Sequence, residues 1–189
     1  MKELSRVNCM KALLLVDIQN DYFQGGAFPL PTMEQSAEKA AELLAWARET
    51  GQTVIHIRHE EADPSTGFLL RGTAGAEINS LVDPHNDEVV ITKHYPNSFR
   101  ETDLASALSG IEDVIIIGAM SNMCIDATAR AAFDLGFEVT VVEDACAASA
   151  LEFQNQTFPA TEVHGTFMAA LASAYGKVVQ AEDVMRDRT

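Results

Sequence analysis

Six short runs of apolar, largely β-branched residues punctuate the chain, separated by stretches whose apolar residues recur at helical spacing. The first run, residues 11–17 (KALLLVD), shows no polar alternation before its final acid, which predicts a strand buried on both faces. Residues 53–58 (TVIHIR), 88–93 (EVVITK), 114–117 (VIII), 137–142 (FEVTVV) and 177–180 (KVVQ) read as the other strands. Between the first two, Ala37, Ala40, Ala41, Leu44 and Ala47 trace a helix, opened by the capping-box spacing of Thr32 and Gln35 and closed by Gly51. Further helices are predicted over 102–108, over 123–135 with Gly136 as the cap, and after Pro159, where Val163, Phe167, Leu171 and Ala174 share a face up to Gly176. Alternating strands and helices predict an α/β fold: a Rossmann-like, mostly parallel six-stranded sheet with right-handed crossovers and helices on both faces, three layers α/β/α. At 189 residues the chain has the length of a single domain, 1–189.

Charge narrows the ligand. Lys plus Arg total 13 against 28 Asp plus Glu, a net charge of −15 that repels nucleic acid and anionic membrane, so a small-molecule substrate is expected. The apolar run 12–16 is too short for a signal-peptide core or a membrane span, and a cytoplasmic location is expected. Cys9, Cys124 and Cys146 are odd in number and at no metal spacing, which predicts neither a disulfide framework nor a zinc site. No cofactor is expected, since G-x-G-x-x-G and Walker phosphate loops are missing; the G-x-S-x-G serine elbow is missing too. Two loops carry interest. Residues 18–31 hold Gly25, Gly26, Pro29 and Pro31 together with Tyr22, Phe23 and Phe28, which with Phe68 are candidate pocket walls for a flat or aliphatic acyl group. Residues 63–86 form the longest irregular region, with a short helical turn around 74–80, and could serve as a lid or partner surface.

The candidate chemistry converges on strand ends. Cys124 follows the fourth strand and opens a helix, where unpaired N–H groups and the dipole favour a thiolate over a thiol; a small buried packing cysteine is the alternative. Asp17 and Lys93 also stand at carboxyl ends of strands, the edge at which open α/β sheets bind ligands. A cysteine, a carboxylate to move its proton and an ammonium beside both constitute a nucleophilic site. His56 and His59 are three apart, but strand alternation does not require them to converge, and both read as core or surface histidines. Cys146, among alanines, and His164, beside the last helix face, read as packing or interface residues.

LLLVDIQNDYF at 13–23, GTAGAEI at 72–78, TKHYPNSFRETDL at 92–104 and GAMSNMCIDATARAAFDLGFEVTVVEDACA at 118–147 together resemble the isochorismatase-like cysteine hydrolases, in the amidohydrolase branch related to nicotinamidases and N-carbamoylsarcosine amidohydrolase. The resemblance implies Asp17 as general base, Lys93 as its charged partner and Cys124 as nucleophile. It also implies a cis peptide at Ala119–Met120, placing the Met120 and Cys124 N–H groups as an oxyanion hole. The implied reaction cleaves a C–N bond of a small amide or ureido compound through a thioester. The resemblance does not extend to the Asp-x-His metal motif of nicotinamidases, where this chain has His56-Ile57-Arg58-His59, so it implies neither a metal nor nicotinamide. Vinyl ether hydrolysis of the isochorismatase type, and a non-hydrolytic thiol sensor or ligand-binding module, are the competing readings. Relatives of this kind form dimers or tetramers, which makes a homo-oligomer the expected assembly.

Overall fold

The uninterrupted apolar run at the start of the chain occupies the middle of the sheet. In the computed structural model, which describes residues 10–186, the chain passes through β1 (Lys11–Val16), α1 (Met33–Thr50), β2 (Thr53–His59), β3 (Val89–Lys93), α2 (Leu104–Ala107) and β4 (Asp113–Ala119). It continues through α3 (Asp126–Asp134), β5 (Glu138–Ala147), β6 (Leu151–Phe153), β7 (Gln156–Phe158), α4 (Ala160–Ala174), β8 (Lys177–Val179) and α5 (Ala181–Arg186). The six-stranded sheet has the order β3-β2-β1-β4-β5-β8, and every neighbouring pair is parallel. Because side chains alternate along a strand, Leu13, Leu15, Ile115 and Ile117 enter a core shared with α1 and α5. Ala12, Leu14, Val16, Val114 and Ile116 enter a second core with α2, α3 and α4. Three layers result, as the alternation of elements predicts. Among the described residues no helix is long and apolar enough to cross a membrane. Cys9 lies outside the described residues.

Local chemistry departs from the sequence reading at several places. Thr32 stands at the N-cap of α1, but its side chain makes no capping hydrogen bond, so the capping box does not form. Gly51 does close the helix, at φ 70°. The predicted turn at 74–80 is two short 3₁₀ turns, Ala74–Ala76 and Ser80–Val82. The hairpin β6–β7 and the terminal α5 carry no periodicity long enough to read from sequence. β5 runs five residues beyond its predicted end at 142, because a register shift between Ile116 and Gly118 lets Gly118 pair with Cys146 and Ala119 with Ala147.

Gly118 is the pivot of that shift. At φ 123° it lies where side-chain-bearing residues are strained, and a Cβ there would come within 1.9 Å of the Val16 carbonyl oxygen. Gly118→Ala is therefore expected to force β4 off β1 and lose roughly 1–3 kcal/mol, read as a lower urea midpoint at unchanged m.

A second anchor ties α1 and β2 to the start of β3. Glu88 accepts from Arg48 through both oxygens (2.7 and 2.9 Å), from the His85 backbone N–H (2.9 Å) and pairs with buried His56 Nε2 (2.9 Å). Burial pushes the Glu88 carboxyl up, but these bonds outweigh it and hold the pKa at about 2 against an ordinary 4.5. Burial lowers His56 in spite of Glu88. With the folded pKa below the unfolded one, Glu88 stabilises the fold above pH 4.5 and loses that contribution as pH falls towards about 2. Glu88→Gln is expected to flatten the pH dependence of stability across that window, measured by urea unfolding at a series of acid pH values.

Candidate active site

At the carboxyl end of β1 the chain order turns back across the sheet: β2 and β3 lie to one side and β4 to the other, which opens a crevice at the strand ends. Asp17 stands there, fully buried, at φ 53°, its N–H donated to the Ile57 carbonyl (2.8 Å). Lys93 ends β3, two strand spacings or about 10 Å away, so only a long side chain can reach across β2. Its Nζ arrives 2.7 Å from Asp17 Oδ2, 3.0 Å from His59 Nδ1 and 3.2 Å from Cys124 Sγ. The buried ammonium faces three partners without exposure to water: an ion pair with Asp17 and hydrogen bonds with His59 and Cys124. Burial pulls the Lys93 pKa down, yet Asp17 and Cys124 together raise it above the ordinary lysine value.

His59 is the member of this cluster that sequence reasoning missed. It is the last residue of β2 rather than part of the following loop, and it is the register partner of Lys93. Since the ammonium only donates, Nδ1 accepts, and Nε2–H donates to Glu61 Oε1 (2.8 Å). The Gln19 amide fixes this strand end by accepting from the His59 N–H (2.8 Å) while donating to the His59 and Ala76 carbonyls (2.8 and 2.7 Å). The usable signal was the one that selected Asp17 and Lys93: a polar residue closing an apolar strand. His56, on the opposite face of the same strand, does not join them and pairs with Glu88 instead.

Donor atoms of Asp17, His59 and Cys124 lie within 4.8 Å of one another, a set that could ligate a metal. The Lys93 ammonium already contacts all three, occupying the His59 Nδ1 lone pair and the Cys124 sulfur and repelling a second cation's charge. These residues do not fit a metal alongside Lys93.

Cys124 reaches the cluster by an irregular turn. β4 ends at Ala119, the Ala119–Met120 peptide is cis, and the Met120 carbonyl accepts from the Met123 and Ile125 N–H groups. The segment Ser121–Ile125 is one π-helical turn, and α3 begins only at Asp126. The expectation of a thiolate held in the first turn of an α-helix is therefore corrected. Burial, and next the Asp17 carboxylate, push the Cys124 thiol far up, and Lys93 offsets only part of that. These surroundings favour the thiol of Cys124 over its thiolate. Cys146 is a buried packing residue at the edge of a cavity beside His164, with its pKa pushed up to about 12 by burial.

Three of the four candidate wall residues gather. Tyr22 meets Phe28 edge-on (6.4 Å between centroids) and Phe68 at a tilt (6.1 Å), while Phe28 and Phe68 stack at 4.9 Å. Burial, and next the Asp17 charge, raise the Tyr22 hydroxyl well above its ordinary pKa. Phe23 takes no part and lines a separate groove with Gln24, Gly25 and Asn79. The buried Asp21 carboxylate stitches the two aromatic-bearing loops together by accepting from the Ala27 N–H (3.1 Å) and the Leu69 N–H (2.6 Å).

Comparison with known proteins gives the same direction throughout. The Isochorismatase domain profile matches residues 11–181. The uncharacterized isochorismatase family protein YddQ of Bacillus subtilis is 44% identical over 93% of this chain and 98% of its own. Maleamate amidohydrolase of Pseudomonas putida is 32% identical over 93% of this chain and 85% of its own. A solved structure assigned as an isochorismatase hydrolase from Oleispira antarctica superposes with a TM-score of 0.91 at 45% identity, over 95% of this chain and 97% of that one. In sequence and in three-layer architecture, the chain belongs to the isochorismatase family and is a hydrolase of that family.

Proposed function

We propose that the protein is a cysteine hydrolase that cleaves a C–N bond of a small amide or ureido compound through a thioester on Cys124. The observation that carries this reading is the single ammonium of Lys93 bonded at once to Asp17 and to the Cys124 sulfur. Asp17 accepts the thiol proton as Sγ attacks the substrate carbonyl, and Lys93 balances the charge as it moves between the two acidic groups. The Met120 and Cys124 N–H groups hold the oxyanion. Asp17 then protonates the departing nitrogen, the C–N bond breaks, and ammonia or an amine leaves a thioester. Water, deprotonated by Asp17, attacks that thioester and releases the acid with the thiol restored. The likeness to maleamate amidohydrolase supports a C–N bond as the target. Tyr22, Phe28 and Phe68 supply an apolar wall suited to a flat or aliphatic acyl group. A free catalytic thiol suits the reducing cytoplasm.

The test is ammonia release from maleamate and from N-carbamoyl amino acids, with hydroxylamine added to intercept the acyl group. Turnover with hydroxamate formation and a transient acyl adduct on the Cys124 peptide is expected; turnover with no adduct on Cys124 would sink the thioester.

The partner of this enzyme is a second copy of itself, docked through β6–β7. Among the described residues these strands pair only with each other, and the hairpin holds Leu151 39% and Phe153 67% exposed, although an isolated hairpin is marginal in water. Light scattering after gel filtration is expected to show an oligomer that Phe153→Glu dissociates. A monomeric wild-type protein would remove this reading.

A further inference from the structure

Behind the nucleophile turn lies a chain of polar groups that the proposed mechanism does not use. His164 of α4 places Nδ1 2.9 Å from Ser121 Oγ, and its Nε2 lies 3.4 Å from Glu143 Oε2. Ser121 Oγ is also 3.1 Å from the Ala147 carbonyl at the end of β5. That carbonyl only accepts, so the one hydroxyl hydrogen goes to it and the His164 Nδ1–H donates to Oγ. The order Ser-His-Glu resembles a hydrolytic relay, but Ser121 is fully buried with its hydroxyl occupied on both sides, so it cannot attack a substrate. Its place in the chain is what matters: it follows the cis Ala119–Met120 peptide and opens the turn that carries Cys124.

We propose that His164 is a positioning residue for the nucleophile, locking Ser121 and through it the backbone from Met120 to Cys124 against α4 and β5. One side of the imidazole faces a cavity of about 290 Å³ lined by Thr32, Ser36, Glu143 and Ala160, so packing alone does not clamp the ring. Its Nδ1–H bond to Ser121 Oγ decides where it sits, and hence where the proposed oxyanion donors sit. This assignment rests on the reading of Cys124 as nucleophile, and its test includes a measurement that needs no substrate.

Ser121→Ala, His164→Ala and His164→Asn are compared by iodoacetamide alkylation of the native protein, read separately at Cys124 and Cys146 by peptide mass spectrometry, and by kcat and KM on an amide the wild type hydrolyses. Ser121→Ala and His164→Ala are expected to speed alkylation of Cys124 as the turn opens; Cys146 stays protected in Ser121→Ala, whereas it lines the cavity beside His164 and becomes more accessible in His164→Ala. kcat is expected to fall by about 10²-fold, the cost of a displacement near 1 Å, while KM holds. His164→Asn, whose amide N–H can take the place of Nδ1–H, is expected to restore much of both. Unchanged Cys124 reactivity and kcat in Ser121→Ala overturns the proposal, and so does a joint rise at Cys124 and Cys146 in that same variant, which marks general loosening. Should His164→Ala fail to fold, Ser121→Ala, a loss of one oxygen, tests the same lock by itself. If Cys124→Ala retains turnover, the nucleophile reading falls, while the alkylation contrast still decides whether His164 holds the turn.

Discussion

Cys124→Ala is expected to reduce amide hydrolysis by at least about 10⁴-fold, to the rate supported by binding and the oxyanion donors alone. The side chain is small and 6% exposed, so alanine fits the space, while the buried Lys93 ammonium keeps Asp17 and His59 as partners when the sulfur is removed. Loss of rate with an unchanged thermal midpoint would isolate the chemistry. The same variant separates the readings that share this fold. A vinyl ether hydrolase using Asp17 as its acid would retain turnover of isochorismate without the thiol. A thiol sensor would show Cys124 oxidation in the wild type and no hydrolysis in either protein.

The second large effect runs in two directions at once. Asp17→Asn is expected to cut hydrolysis by about 10²–10⁴-fold, because nothing then takes the thiol proton or returns it to the leaving nitrogen. Yet the same substitution removes a negative charge that raises the Cys124 pKa and leaves Lys93, which lowers it. Iodoacetamide should therefore alkylate Cys124 faster at neutral pH in the variant than in the wild type. In the wild type, alkylation should keep climbing above the ordinary thiol range instead of levelling off below it. If alkylation slowed in step with hydrolysis, the resting thiol derived from the geometry would be wrong and Asp17 would be holding a preformed thiolate. Breaking one side of a buried ion pair costs about 3–5 kcal/mol, so unfolding midpoints accompany both assays. Asparagine, nearly the shape of aspartate, keeps an acceptor for Lys93 and limits that cost.

The contrast between these residues shows what periodicity can and cannot deliver. Asp17, Lys93 and Cys124 were legible because each closes an apolar run, and a parallel sheet brings every such end to one edge. His59 obeys the same rule, but placing β2's end at Arg58 moved it into a loop, and one residue was enough to lose it. Ser121 and His164 were invisible for another reason: they lie 43 residues apart, and only the packing of α4 against the nucleophile turn brings them within hydrogen-bond distance.

By itself, the sequence determined the layers, the six strands of the central sheet, the switch-point edge and which three polar residues stand together at it. All of these follow from local hydrophobic period and the direction of parallel strands. Protonation and reach were decided by the tertiary structure. Helix-dipole reasoning favours a thiolate at Cys124, whereas burial and Asp17 push its pKa up, because desolvation and a charge acting across space oppose ionisation in a turn that is not an α-helix. Likewise no spacing along the chain shows that Lys93 spans β2 to bind Asp17, His59 and Cys124 together. That depends on strand order, which sets how far one side chain must extend.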